Sequence, residues 1–135
     1  MRSRVDFSDT DVTGVVYYGR YPVFFDRAVV AYRRALGVDL LGPAGHHYLI
    51  RAVAAQYHDS LRFDDEIDVH VRISSIGRTS HSYDIRVDRV DGAQHAHCVA
   101  GQITIVGVDG YGADAKPSPM PDGLRHTIQE FEGLA

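Results

Sequence analysis

The sequence predicts an α+β fold in which one strongly curved antiparallel sheet wraps a single long buried helix. Three observations carry that prediction. The segment from Tyr21 to Leu36 is apolar around nearly its whole circumference, a short strand candidate precedes it, and four strand candidates follow in succession. A helix that is apolar nearly all round is buried by its surroundings rather than laid on a surface. The sheet is the element left to surround it.

In chain order, the first strand covers about Ser3 to Phe7 and ends in the acidic loop Asp9-Thr10-Asp11. In the helix, Pro22 suits the first turn, where its missing N–H costs nothing, and Gly37 suits the position just past the end. Its polar residues Asp26, Arg27, Arg33 and Arg34 recur seven apart on one narrow stripe, and Val23, Phe24, Phe25, Ala28, Val29, Val30, Tyr32, Ala35 and Leu36 cover the rest. A loop containing Gly42-Pro43-Ala44-Gly45 leads to a strand from about Tyr48 to His58. Ile67, Val69, Val71 and Ile73 then alternate with Asp68, His70, Arg72 and Ser74, a clean period of two. After the turn Gly77-Arg78-Thr79-Ser80, Tyr83, Ile85 and Val87 alternate with Asp84, Arg86 and Asp88. Asp91-Gly92 is a hairpin signal, and a long strand from about Gln94 to Val106 follows it. Asp109-Gly110 marks another turn, and Pro117, Pro119 and Pro121 break the pattern before a short polar helix or tail, Asp122 to Glu132.

At 135 residues, 44% hydrophobic and 24% charged, residues 1–135 are expected to form one domain around one core. A formal net charge of -4 lends no overall electrostatic support to a nucleic-acid partner. The single cysteine, Cys98, excludes an intrachain disulfide and a thiolate metal cluster, and reads as a small buried residue. The start of the sequence, Met1 to Asp6, lacks the apolar stretch of a signal peptide, and no window reaches the length of a membrane span. A cytoplasmic location is the expectation. One sheet around one helix also leaves an edge and part of its outer face uncovered, which invites self-association.

The most informative segment is Asp9-Thr10-Asp11-Val12-Thr13-Gly14-Val15-Val16-Tyr17-Tyr18, followed by Tyr21 and the run Phe24-Phe25-Asp26. An acidic loop feeds directly into the buried helix, so carboxylates stand beside a helix start, where unpaired N–H groups and the dipole favour negative charge. Acyl transfer needs a nucleophile or base at the carbonyl carbon and hydrogen-bond donors at its oxygen, and this order supplies both. Gly14 lets the loop turn tightly, and a helix N-terminus donates without a charged side chain. The plainer role of Asp and Thr before a helix is capping, worth about 1 kcal/mol each; Asp9 is expected to have that capping or turn role.

Asp9-Thr10-Asp11-x-x-Gly14-Val15-Val16-Tyr17-Tyr18-x-x-Tyr21 resembles the signature of the hotdog-fold acyl-CoA thioesterases of the 4-hydroxybenzoyl-CoA thioesterase type. The resemblance covers nearly the whole chain, including the weaker stretch Arg62-Phe63-Asp64-Asp65-Glu66 and the Gly77–Ser80 turn, and the pattern derived above is the hotdog fold, a five-stranded antiparallel sheet around one helix. It implies Asp11 as the catalytic aspartate and Tyr18 as the residue, where the helix begins, whose backbone N–H polarises the thioester carbonyl. It implies hydrolysis of an acyl-CoA to a free carboxylic acid and coenzyme A, with Asp11 as nucleophile or general base and no cofactor. It also implies homodimers or homotetramers with active sites at the dimer interface. The related thioesterases of the bacterial Tol-Pal system usually carry His where this chain has Tyr18, which favours Asp11 plus a backbone donor here. Tyr17, Tyr21 and Phe25 serve either as core or as acyl-pocket lining. Arg78 and Thr79 either touch the phosphates of coenzyme A, which Arg suits, or form a solvated turn; Arg86 and Arg89 are further candidates on the same logic.

Two other functions remain open on this reading: a thioesterase acting on an acyl group carried by acyl carrier protein in a polyketide or fatty-acid pathway, and a non-catalytic acyl-binding protein. Dehydratases of the same fold depend on a His in the central helix, and none occurs between Tyr21 and Leu36. No Gly-x-Ser-x-Gly elbow is present. His95 and His97 share one strand face and His46-His47 falls in a loop, but further ligands at telling spacing are lacking, so no metal is expected.

Overall fold

The computed structural model describes residues 1–40, 42 and 46–134; Pro43-Ala44-Gly45 of the loop after the helix lie outside them. The elements in order are β1 (Arg2–Arg4), α1 (Tyr21–Leu36), β2 (His46–Tyr57), β3 (Glu66–Ile76), β4 (Ser80–Asp91), β5 (Gln94–Asp109), β6 (Lys116–Pro117) and α2 (Asp122–Glu132). They build one sheet, ordered β1-β3-β4-β5-β2, with β6 added to the end of β5 and every pairing antiparallel. This is the predicted hotdog arrangement, with two residues of β6 as an extra strand.

The core lies between α1 and the inner sheet face. Ile67, Val69 and Ile73 of β3, Tyr83, Ile85 and Val87 of β4, and Val99 and Ile103 of β5 point inward, as period-two alternation requires. From α1, Tyr21, Phe24, Phe25, Ala28 and Tyr32 meet them; Phe24 and Phe25 are fully buried, each worth about 2–3 kcal/mol in transfer free energy. Gly37 ends the helix in the left-handed conformation (φ 70°) and donates its N–H to the Arg33 and Arg34 carbonyls. Arg33 departs from the expected polar stripe. It is only 8% exposed, because the far end of α1 is covered by α2 and by the start of β2.

Three register shifts curl the sheet, between Ile50 and Ala52, between Ile73 and Ser75, and between Val87 and Asp88. At the last, Asp88 pairs with His97 while Val87 pairs with Val99, which leaves Cys98 as the extra residue of a bulge. The Cys98 carbonyl accepts the N–H groups of His58 (2.7 Å) and Asp59 (3.2 Å), so the bulge fixes the loop that leaves β2. At Gly101 the helix approaches closely: a Cβ there would stand 2.7 Å from Phe25 Cζ. Gly101→Val is therefore expected to destabilise the protein by about 1–3 kcal/mol, read as a lowered midpoint in thermal unfolding.

Two strand boundaries differ from the sequence reading. β1 stops at Arg4, because the Val5 N–H turns to the Asp65 carbonyl at 2.9 Å and the chain enters a 3-10 turn at Phe7–Asp9. β5 runs on to Asp109 and holds His46 opposite it, so His46 and His47 begin β2 rather than lie in a loop. β2 is a sheet edge, and Leu49, Ile50, Val53 and Tyr57 along it are all at least half exposed.

Candidate active site

The acidic loop is a small hairpin. Thr10 and Val16 pair across it, Asp11 N–H donates to the Val15 carbonyl at 3.0 Å, and Gly14 N–H donates to the Asp11 carbonyl at 3.0 Å. Gly14 takes φ 81°, a left-handed conformation that costs a residue with a Cβ about 1–2 kcal/mol. The base of the hairpin is anchored. Val16 N–H donates to the Leu61 carbonyl at 2.8 Å, and Tyr17 N–H to the Asp9 carbonyl at 2.9 Å.

The two carboxylates of Asp9-Thr10-Asp11 have opposite surroundings. Asp9 is 1% exposed: its Oδ1 accepts Arg20 Nε (3.0 Å) and Nη2 (2.8 Å), and its Oδ2 accepts the Asp6 N–H at 2.9 Å. It closes the turn, as expected, and pins the hairpin to the residue before α1. Asp11 stands exposed at the tip. The Thr13 hydroxyl (2.5 Å) and the Thr13 N–H (2.8 Å) both donate to its Oδ1. These bonds, the hydroxyl first, hold its carboxyl below the usual aspartate range. Oδ2 has no hydrogen-bond partner among the described residues, and so an ionised oxygen faces outward.

The chain enters the helix in two steps. Tyr18–Arg20 form a 3-10 turn and the α-helix proper runs from Tyr21 to Leu36, the range read from the sequence, so the Tyr18 position falls on the turn ahead of it. The Tyr18 N–H finds no acceptor among the described residues. It is a free donor at the positive end of the helical segment.

Beside it lies a cavity of about 330 Å³, with Val16, Tyr18 and Tyr21 on one side and Tyr57 to Ser60 on the other. Tyr21 packs on Tyr57 with ring centroids 5.1 Å apart, and burial pushes its phenol up to about 12. Tyr17 and Tyr18 pack against each other at the surface, 4.7 Å between centroids with the rings tilted by 55°. Phe25 is core: it is fully buried against Gly101 and does not line the cavity.

Within this chain Arg78 and Thr79 are not brought to this place. They sit in the β3–β4 turn, where their carbonyls accept Met120 N–H (3.2 Å) and Gly107 N–H (2.8 Å). The Asp11 hairpin instead pairs with Arg62, beyond the opposite end of β3. The 11 residues of β3 separate the two ends, about 35 Å in an extended strand. Arg86 and Arg89 are engaged in ion pairs, with Asp88 at 2.8 Å and Asp59 at 2.9 Å. His58, Asp59 and Ser60 were not singled out from the sequence; a polar run ending an edge strand was their one signal. Among the described residues, no group of three or more His, Cys, Asp or Glu side chains is placed to hold a metal ion.

A curved antiparallel sheet around one helix, with a carboxylate-bearing hairpin ahead of that helix, is the hotdog architecture. The chain belongs to the thioesterase-like superfamily, whose family model matches residues 5–128. It is similar to the acyl-CoA thioester hydrolase YbgC of Escherichia coli, 26% identical over 131 residues that cover 96% of this chain and 92% of that protein. Among solved structures it superimposes on 4-hydroxybenzoyl-CoA thioesterase from Pseudomonas sp. strain CBS-3 with a TM-score of 0.83 at 20% identity, covering 94% of this chain and 96% of that one. A 1,4-dihydroxy-2-naphthoyl-CoA thioesterase from Synechocystis matches with a TM-score of 0.83 at 15% identity, covering 95% and 93%. At these identities the solved structures establish the shared fold.

Proposed function

We propose that the chain hydrolyses an acyl-CoA thioester to a free carboxylic acid and coenzyme A, with Asp11 as the reacting group and the Tyr18 N–H as the carbonyl donor. The observation that carries this reading is the Asp11 carboxylate, kept ionised by Thr13 with Oδ2 open, on a hairpin whose base leads into the free Tyr18 N–H. The names of the curated relatives support the substrate class.

A thioester carbonyl oxygen seated on the Tyr18 N–H gains charge stabilisation as it becomes tetrahedral. Asp11 Oδ2 then bonds to the carbonyl carbon, the C–S bond breaks, and the thiolate of coenzyme A leaves. Water hydrolyses the resulting anhydride, releasing the acid and restoring the carboxylate. In the general-base route Asp11 instead takes a proton from the attacking water. Repeated turnover in ¹⁸O-water bears on the choice: water attacking the Asp11 carbonyl of the anhydride leaves label in Asp11, which the base route never does, and hydroxylamine trapping at Asp11 reports an anhydride whose acyl carbonyl is attacked instead.

The acyl group would enter the cavity between Tyr18, Tyr21 and Tyr57, whose rings suit aryl or medium alkyl chains. The pantetheine arm is common to coenzyme A and carrier protein, and the name of the acyl-CoA thioester hydrolase relative favours the coenzyme A ester. Thiol release from benzoyl, phenylacetyl and alkyl-CoA esters, beside the same acyl groups on carrier protein, tests the choice. Faster turnover on the carrier-borne substrate would reverse it.

The reading also calls for a second protomer. Antiparallel pairing of two β2 edges would bury Leu49, Ile50, Val53 and Tyr57 and set the partner's β3–β4 turn at the same end as this protomer's Asp11 hairpin. That is how Arg78 and Thr79 would reach coenzyme A phosphates. Ile50→Lys with Val53→Lys is expected to convert a dimer or tetramer to monomer in sedimentation and to cut thioesterase activity with it. A native protein that already sediments as a monomer would contradict this.

A further inference from the structure

Thr13 holds one particular oxygen of Asp11. Its N–H (2.8 Å) and its hydroxyl (2.5 Å) both donate to Oδ1, and neither bonds Oδ2. The backbone contact alone is an ordinary turn, in which an aspartate side chain accepts an N–H two residues on. The hydroxyl adds a second donor to the same atom. Two backbone bonds hold the turn that carries them: Gly14 N–H donates to the Asp11 carbonyl and Asp11 N–H to the Val15 carbonyl, each at 3.0 Å.

For attack on a thioester these donors are a handicap. They draw charge onto Oδ1 and hold the carboxyl below the usual aspartate range, and a less basic carboxylate is a weaker nucleophile. Their use lies in the second step. Once Oδ2 is acylated, Oδ1 is the carbonyl oxygen on the Asp11 side of the anhydride. The Thr13 N–H and hydroxyl then stand at hydrogen-bond distance from the atom on which an oxyanion would form. An anhydride offers water two carbonyl carbons. The acyl carbon has the Tyr18 N–H as its donor, whereas the Asp11 carbon has both Thr13 donors.

Within the nucleophilic route of the proposed function, on which this rests, we propose that Thr13 is the oxyanion donor for deacylation and that water attacks Cγ of Asp11, not the acyl carbon. The water oxygen bonds to Cγ, and the electron pair of the carbonyl collects on Oδ1 between the two Thr13 donors. As that pair returns, the Cγ–Oδ2 bond breaks and the acid leaves with Oδ2 as its second carboxylate oxygen. The two protons of the water pass to solvent, which reaches the exposed hairpin tip. Asp11 is restored with Oδ1 still on Thr13 and the water oxygen in place of Oδ2.

A purely structural Thr13 predicts different kinetics. A misplaced Asp11 attacks the thioester more slowly, and kcat/KM falls. Slower hydrolysis of the anhydride lowers kcat and KM together and leaves kcat/KM unchanged, because kcat/KM reports the steps up to departure of the thiolate.

The test uses the full chain and whichever CoA ester of the panel above it hydrolyses fastest. Thr13→Val removes the hydroxyl at nearly constant volume, and Thr13→Ser keeps it. At neutral pH Thr13→Val is expected to lower kcat and KM together by roughly tenfold to a hundredfold, with a burst of thiol and, after hydroxylamine, a hydroxamate at Asp11. Thr13→Ser is expected to restore turnover. A single turnover in ¹⁸O-water, with native protein in excess, is expected to place the label in Asp11 and none in the acid. Label in the acid beside a trapped hydroxamate would overturn the proposal and leave Asp11 as nucleophile. A kcat/KM that falls in step with kcat in Thr13→Val would overturn it as well. Should Thr13→Val fail to fold, the isotope experiment on native protein decides. Label in the acid with no burst and no hydroxamate is the general-base route, and no thiol release from any CoA ester is the failure of the thioesterase reading; the proposal falls with either.

Discussion

Asp11→Asn is expected to lower kcat on a CoA ester by on the order of a thousandfold or more and to leave the melting temperature nearly unchanged. The side chain is exposed at a hairpin tip, and its bonds run only to Thr13 two residues on. Asn keeps the acceptor for those bonds and loses only the charge. The expected pH profile follows from the same contacts. Because Thr13 stabilises the ionised form, Asp11 stays ionised as pH falls through the ordinary aspartate range, and the acid limb of kcat/KM lies below that range. Thr13→Ala removes the hydroxyl that does most to hold the carboxyl down, leaves the Thr13 N–H bond, and is expected to move the limb upward. An acid limb that stays in place in Thr13→Ala would separate the titration from Asp11.

Asp9→Ala is expected to do the reverse, unfolding before it slows. Removal strands the Arg20 guanidinium and the Asp6 N–H, both bonded to a carboxylate that is only 2% exposed at its side chain. Breaking a fully buried ion pair costs about 3–5 kcal/mol; with Arg20 36% exposed, about 2–3 kcal/mol is expected here. For a domain of this size that lowers the melting temperature by roughly 10 °C. Calorimetry of the two variants side by side checks the division of labour. Equal destabilisation by Asp9→Ala and Asp11→Asn would erase it.

The helix and the strands were legible because their signals are local. Pro22 and Gly37 bracket α1, and the alternation of Ile67 to Ile73 and Tyr83 to Val87 sets which faces are buried. Asp9 and Asp11 were separable through the motif around them. Their contrasting burial appears only once Arg20 folds back from the start of α1.

What sequence spacing missed is tertiary. Arg33 falls on a polar stripe by helical arithmetic, yet α2 and β2 converge on that end of the helix and bury it. His46 and His47 follow a Gly- and Pro-containing loop and read as part of it, but β5 runs far enough to pair with them. Arg78 and Thr79 occupy a plausible phosphate-binding turn, and nothing local says that the turn stands a whole strand away from Asp11. Spacing along a hairpin gives the face a residue shares, not the end it occupies.

The most direct measurement is thiol release from benzoyl-CoA and a matched alkyl-CoA by the native protein and by Asp11→Asn, both verified as folded. Turnover in the native protein that disappears in the variant is the predicted result. Equal turnover by the two proteins would contradict the role of Asp11, and silence from well-folded native protein on CoA esters would contradict the substrate class.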